Sequence, residues 1–378
     1  MSNQDISSHE IKEIPSQAGI EKIDESSPTY IDKPFDPTKI DIIQKTLTID
    51  LLIKRMKSDP MRIDLNTEFQ RMGDLWDTKA QSRLIESLLV KIPLPAFYFD
   101  GTNDSNWLVV DGLQRLYSLK NFVIDKSLKL IDLEYLKQYN GKGFDELSHL
   151  HTRIEETQIT AYIINPGTPP NVKYNIFKRI NTGGLVLQSQ EIRHALNQGI
   201  PADFIRELSE IEEFHTATCN LLRGKKRMED RDFVTRFVGF YNGYYEYKPD
   251  LDTFLNQAMG SLAMKQEIER EQIKKDFIKA MKASVEIFDI DAFRKRYEYG
   301  AQRKPLNKAL FEAWSVNLAK LTVENIRTLI SNKESVKKAF IELMKTKEFE
   351  RSITAGTGDP QSVKTRFDKI RELITGLI

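Results

Sequence analysis

Apolar residues in the first two hundred positions follow two different spacings. Between residues 48 and 56, and again around Ile85, Leu88 and Leu89, they recur every three or four positions, which predicts two amphipathic helices, the second capped by Asp77. Between the continuous apolar runs 96–99 and 107–110 lies a stretch rich in turn-forming residues, 100–105, so the two runs predict a β-hairpin. The run 159–164 predicts a further strand. Residues 37–200 are therefore expected to form an α+β domain.

Helical spacing dominates after about residue 201. Phe277, Ala280, Met281, Ser284 and Phe288, for example, fall on one face of a helix. Residues 201–378 are therefore expected to form an all-helical domain. Residues 1–36 contain eight acidic and three basic side chains with few apolar ones, which predicts a disordered acidic tail; a partner-binding tail is the alternative.

Composition removes several classes of function. The chain has 56 Lys and Arg against 55 Asp and Glu, a net charge of +1, so any contact with nucleic acid must come from a local patch. The only cysteine, Cys219, excludes an internal disulfide, and it is expected to be a small buried residue rather than a reactive thiol. No apolar stretch resembles a leader or a membrane span, so a cytoplasmic protein is expected.

The candidate chemistry lies where the run 107–110 meets the next helical pattern. Asp111 and Gly112 fall at this strand-to-helix junction, and Gln114 and Arg115 fall in the first helical turn. Gly112 permits close approach of the backbone, Arg115 can donate two hydrogen bonds to phosphate, and Asp111 can hold Mg²⁺ or a water bound to it. The alternative is that Asp111 caps the helix and Arg115 pairs with a nearby acid, and spacing alone does not decide between the two.

A set of short motifs around this junction resembles one known family. The motifs are Phe69-Gln70-Arg71 with Trp76, Leu84 to Leu89, Ile92-Pro93-Leu94-Pro95, Val110 to Leu116, Phe177 to Gly184, Leu187, Gln190 to Arg193, and Ala195-Leu196. In this order, over residues 45 to about 240, they are similar to the GmrSD-type restriction endonuclease N-terminal domain. That resemblance implies a ParB/sulfiredoxin-like fold, binding and hydrolysis of a nucleoside triphosphate with Mg²⁺, and a setting in prokaryotic restriction or anti-phage defence.

The family's Asp-Gly-Gln-Gln-Arg signature transfers to this chain with one departure. Asp111, Gly112, Gln114 and Arg115 match, and by the resemblance Asp111, Gln114 and Arg115 are the expected catalytic residues. Leu113 replaces the first Gln and can form no side-chain hydrogen bond, so hydrolysis is in question while phosphate binding is not.

Further nucleotide-binding candidates come from the other motifs. They are Gln70, Arg71, Gly112, Asn181, Thr182, Gly183 and Arg193. Each has a structural alternative. Gly183 or Gly184 could end a helix, Arg71 could form a surface ion pair, and one of Glu191 and Arg193 is expected to face inward and pair, because residues two apart do not share a helix face.

Two basic stretches and a few histidines are the candidates for binding nucleic acid or metal. One basic stretch begins at Arg223 and ends at Arg227, and a second runs from Arg294 to Lys304; each is a DNA-binding candidate or a solvated helix face. No histidine follows residue 215, which excludes a histidine-dependent nuclease in the helical domain, and no nuclease active site is recognised. His149 and His151 are expected to be solvent-exposed rather than metal ligands.

Three hypotheses follow. In the first, the α+β domain binds a nucleoside triphosphate, with or without hydrolysis, and the helical domain passes the nucleotide state to a partner protein. In the second, the chain is a nucleotide-sensing or DNA-binding adaptor without turnover, which Leu113 favours. In the third, it is a structural subunit with a vestigial site.

Overall fold

The computed structural model describes residues 19–25, 37–65, 76–180, 187–224 and 227–378. A small mixed sheet in the first half of the chain is followed by a largely helical second half. This arrangement confirms the predicted α+β class. The likeness to ParB and sulfiredoxin stays a prediction.

Five strands form one sheet in the order β1-β5-β3-β4-β2. Their bounds are Ile42–Thr48 (β1), Ile63–Asp64 (β2), Phe97–Asp100 (β3), Trp107–Asp111 (β4) and Gln158–Ile164 (β5). β3 and β4 form the predicted antiparallel hairpin, and β1 also runs antiparallel to β5. β3 lies parallel to β5 and β2 parallel to β4.

Helices cover both faces of this sheet. They are Ile49–Lys57 (α1), Thr78–Leu89 (α2), Leu113–Leu119 (α3), His151–Glu155 (α4), Pro170–Ile180 (α5) and Ser189–Leu196 (α6). Phe97, Phe99 and Val109 pack against α1 to α3 on one face. Val110 and Ile164 pack against α5 and α6 on the other. The predicted cap of α2 is confirmed, since Asp77 Oδ1 accepts a hydrogen bond of 2.7 Å from Ala80 N.

The second half packs around one buried helix. Its helices are Ile200–Ser209 (α7), Glu212–Ala217 (α8), Glu229–Gly243 (α9), Leu251–Ser261 (α10), Glu267–Phe288 (α11), Lys308–Ala319 (α12), Val323–Ser331 (α13), Lys333–Met344 (α14), Lys347–Ser352 (α15) and Pro360–Thr375 (α16). α12 is buried on all sides from Ala309 to Ala319, as expected of a helix at the centre of a core.

Residues 19–25 lie against the helical domain. Ile20 forms a β-bridge with Leu306, and Glu21 accepts a hydrogen bond of 2.7 Å from Lys295 Nζ. Glu25 accepts one of 2.7 Å from Arg236 Nη2. The disorder expected of the acidic tail does not hold for these seven residues, because their acids neutralise buried cations. The rest of the tail lies outside the described residues.

Candidate functional site

The strand-to-helix junction depends on Gly112. β4 ends at Asp111 and α3 begins at Leu113, and between them Gly112 takes a φ of 102°. A Cβ at this position would lie 2.5 Å from Cδ1 of Phe97, well inside van der Waals contact. Only glycine meets both the left-handed backbone and the close ring, so it fixes the direction in which the chain leaves Asp111.

Arg115 points into the protein rather than towards solvent. Its side chain is 9% exposed. Nη2 donates to Asp111 Oδ2 at 2.7 Å and to Ala96 O at 3.1 Å, and Nη1 donates to Pro95 O. The guanidinium also lies 4.2 Å from the centre of the Phe97 ring. Burial lowers the pKa of Arg115 below its ordinary value, and Asp111 acts in the opposite direction.

These contacts revise the expected role of Arg115. Two carbonyls and a carboxylate take three of the five N–H groups, and the guanidinium is turned away from solvent, from which a phosphate would approach. The alternative raised from the sequence was that Arg115 pairs with a nearby acid, and the acid it pairs with is Asp111. Arg115 therefore joins the segment before β3 to the end of β4 and orients Asp111.

Asp111 is the exposed member of this pair. Its side chain is 38% exposed, and Arg115 holds only Oδ2. Asp111 does not cap α3, whose first residue is preceded by Gly112 with no side-chain cap. The junction thus presents one oriented carboxylate at the end of the strand.

Gln114 and Leu113 have different surroundings. Gln114 Oε1 accepts a hydrogen bond of 3.2 Å from Trp76 N, so its amide joins α3 to the start of the described segment 76–180. Leu113 is half-buried and packs on the core between the sheet and α1 to α3. The residue that departs from the family signature thus has a packing role.

Two tyrosines beside Asp111 were missed by sequence reasoning. Tyr98 pairs with Asp111 across β3 and β4 and with Tyr162 across β3 and β5. The two rings stack with centroids 5.0 Å apart and planes 20° from parallel, and both are half-buried. Burial raises the pKa of Tyr98, and Tyr162 and Asp111 raise it further. The available signal was the alternation of Tyr98 with Phe97 and Phe99, which assigns the tyrosine to the opposite face of the sheet.

Comparison with known families finds a match within the first two hundred residues of the chain. Residues 51–197 match the family model described as GmrSD restriction endonuclease, N-terminal domain. The chain carries a GmrSD N-terminal domain. No curated protein and no solved structure matches the chain. This domain match indicates a role of the restriction or defence type, and the matched residues include the Asp111 junction and both tyrosines.

The last helix of the GmrSD domain is tied to the helical domain by Arg193. This side chain is 1% exposed. Its Nη2 donates to Asp232 at 2.7 Å, its Nη1 to Asp252 at 3.0 Å and its Nε to Gln190 at 2.8 Å. Arg193 is therefore committed to acids on α9 and α10, which corrects its expected role in binding nucleotide.

Glu191 is also buried, although only one of this pair was expected to face inward. It accepts hydrogen bonds of 2.8 and 2.7 Å from Arg227 and caps α6 through Gln188 N at 2.6 Å. Both residues can face protein because α6 lies between the sheet and the helical domain rather than at the surface.

The other GmrSD candidates lie outside the described residues. They are Gln70, Arg71, Asn181, Thr182 and Gly183. Their roles stay predictions from the resemblance.

The basic stretches are largely used within the protein. Arg223 donates to Glu212 at 2.6 Å, whereas Lys225 and Lys226 lie outside the described residues. In the second stretch Arg294 and Lys295 are buried, and Arg296 pairs with Asp291. Few of these cations are therefore presented to a DNA backbone.

The described part of the chain offers neither a cluster of metal ligands nor a membrane-spanning helix. His151 Nε2 lies 2.8 Å from Phe144 O, and His149 lies beside Tyr139. In the described segments no three His, Cys, Asp or Glu side chains cluster as a metal site would require. None of the described helices combines the length and the apolar character needed to cross a bilayer.

Proposed function

We propose that the GmrSD domain binds a nucleoside triphosphate with Mg²⁺ at the Asp111 junction, and that the helical domain responds to the bound nucleotide. The observation that carries this proposal is the pairing of an exposed, oriented carboxylate with a tyrosine stack in the next strand. An acid for the cation and an aromatic surface for the base are two of the groups that a nucleotide site requires.

The carboxylate suits magnesium. Mg²⁺ in nucleotide sites commonly takes one or two carboxylates and completes its octahedron with phosphate oxygens and water. Arg115 holds Oδ2 of Asp111, and among the described residues Oδ1 has no hydrogen-bond partner. A single acid can serve here without the larger ligand cluster that a structural metal needs.

The tyrosines suit a base. Stacking of a nucleobase on an aromatic side chain contributes about 1–3 kcal/mol. Tyr98 and Tyr162 already hold each other nearly parallel, so little side-chain entropy is lost when a base packs on them. With Arg115 turned inward, we assign the phosphates to the predicted groups at Gln70, Arg71 and 181–183.

Hydrolysis of the bound nucleotide is a separate question from its binding. Leu113 packs on the core and supplies no amide to orient an attacking water, which favours the adaptor alternative in which nucleotide binds without hydrolysis. Binding and phosphate release are therefore measured separately.

Communication with the helical domain is assigned to Arg193. It belongs to the GmrSD domain, whereas its two carboxylate partners belong to helices of the second half. Because a buried ion pair is costly to separate, a shift of α6 upon nucleotide binding would move α9 and α10 with it.

The test is calorimetric titration of the full chain with each Mg-NTP, followed by phosphate release, for the wild type, Asp111→Asn and Tyr98→Ala. Tyr98→Ala is expected to weaken binding about 5- to 150-fold, the equivalent of about 1–3 kcal/mol. Asp111→Asn is expected to abolish the magnesium dependence of affinity. The matched control is Asp145→Asn, an exposed acid paired with Lys126 far along the chain.

If Asp111→Asn bound nucleotide with unchanged affinity and unchanged magnesium dependence, the nucleotide would not bind at this site. Binding in the wild type without phosphate release would select the adaptor. DNA contact, also part of the adaptor alternative, requires an affinity that falls steeply with salt, and a flat salt response would exclude it.

A further inference from the structure

Several buried N–H groups without hydrogen-bond partners among the described residues lie in the helical domain, close to the turn that follows α8. Cys219 and Asn220 in this turn have φ values of 55° and 58°, a backbone conformation that non-glycine residues adopt at a cost. Cys219 is half-buried, and its Sγ lies 3.5 Å from Ile290 O. This places the only thiol of the chain against the segment between α11 and α12.

Arg294 in that segment is a buried cation without an acidic hydrogen-bond partner. The residue is 1% exposed. Nη1 donates to Lys304 O, whereas Nε and Nη2 are buried without a hydrogen-bond partner in the described part of the chain. The neighbouring Asp291 pairs with Arg296 instead. A buried guanidinium left in this state is destabilising, because it has lost its water and gained little in return.

The thiol is the group beside this cation. Burial lowers the pKa of Arg294, the charge of Arg303 lowers it as well, and Cys219 acts in the opposite direction, which leaves that pKa at about 10. Arg303 also donates to Ile290 O at 3.0 Å, and its Nε is buried without a partner among the described residues. Cys219 therefore lies beside Arg294 and shares the Ile290 carbonyl with Arg303, and each arginine has a buried N–H group without a hydrogen-bond partner among the described residues.

We propose that Cys219 is a peroxide-sensitive thiol whose oxidised form is held by Arg294 and Arg303. Sγ attacks one oxygen of hydrogen peroxide, an S–O bond forms and the O–O bond breaks. The sulfur is oxidised to sulfenic acid while the peroxide is reduced, and the released hydroxide takes up the thiol proton as water. The new oxygen supplies the acceptor that the guanidinium N–H groups lack, so the product is stabilised relative to the thiol.

This assignment replaces the expectation that Cys219 is an inert buried residue. It stands apart from the proposed nucleotide site, since all its residues belong to the helical domain. Oxidation there would tie the turn after α8 to the segment that leads into α12, the central helix of the second core.

The test is the rate of sulfenic acid formation with hydrogen peroxide, trapped with dimedone and measured by intact mass on the full chain. Native Cys219 is expected to react on the order of tenfold faster than the same chain unfolded in urea, since cationic surroundings promote thiol oxidation. Arg294→Met and Arg303→Met are each expected to remove most of that advantage. Arg296→Met is the matched control, because that arginine already has its carboxylate.

A native rate no higher than the unfolded rate would overturn the proposal. So would a native advantage that survives in the arginine variants. If Arg294→Met fails to fold, as judged by circular dichroism, the oxidation rate of Arg303→Met alone tests the proposal, because Arg303 is only half-buried.

Discussion

Removal of the Arg193 side chain is the perturbation whose cost follows most directly from the structure. Arg193→Ala takes a guanidinium that is 1% exposed away from the carboxylates of Asp232 and Asp252. Breaking a buried pair by deleting one partner typically costs about 3–5 kcal/mol, because a desolvated charge is left behind.

The remaining cations reduce that cost. Asp232 keeps Arg236 at 3.0 Å and Lys308 at 2.9 Å, and Asp252 keeps Lys178 at 2.8 Å. We therefore expect the lower end of the range, about 3 kcal/mol. With a slope near 3 kcal/mol/M, this corresponds to a fall of roughly 1 M in the urea midpoint.

The assay is urea unfolding followed by tryptophan fluorescence and circular dichroism. Arg206→Ala is the control, since Arg206 forms a partly exposed pair with Asp203, and solvent-accessible pairs contribute about 0–1 kcal/mol. If Arg193→Ala shifted the midpoint no more than Arg206→Ala, the proposed tie between the GmrSD domain and the helical domain would be refuted.

Three further predictions concern the rest of the fold. Gly112→Ala is expected to lower stability by about 1–3 kcal/mol in urea unfolding, because the new Cβ meets the Phe97 ring in a left-handed backbone; an unchanged midpoint would contradict the geometry. Glu86→Gln should lower the free energy of unfolding by about 2 kcal/mol and speed hydrogen exchange at residues 134–136, because the buried carboxylate accepts hydrogen bonds from all three of their amides. Exchange as slow as in the wild type would count against this. Acid should also destabilise the protein. Burial alone would raise the pKa of Asp232, but Arg236, Lys308 and Arg193 outweigh burial and hold that pKa below its ordinary value. The Asp232 carboxylate therefore makes its full contribution to folding stability above about pH 5 and loses it progressively as pH falls below about 4. A melting temperature that rises on acidification from pH 6 to pH 3 would contradict this sign.

Features of the fold that depend on short stretches of sequence were predicted from those stretches alone. The turn-forming residues between two apolar runs predicted the β3–β4 hairpin, and a strand ending at a glycine predicted the junction at Asp111. Strand β1 was missed, because as an edge strand exposed on both faces it lacks an apolar alternation.

Side-chain direction could not be predicted in the same way. Arg115 turns inward because carbonyls at positions 95 and 96 lie within reach, and that proximity exists only once β3 has paired with β4. Arg193 likewise finds its acids 39 and 59 residues further along the chain. Tyr98 becomes a site candidate only through its cross-strand neighbours. The sequence thus predicted where the site lies but not which of its groups face a ligand.

The central claim is that nucleotide binds beside Asp111, and hydrogen exchange with and without Mg-NTP tests it most directly. The expected result is slower amide exchange at residues 97–99, 111–115 and 161–163, lost in Asp111→Asn and retained in Asp145→Asn. Saturating nucleotide that leaves these three segments unprotected, while protecting amides elsewhere in the chain, would contradict the claim.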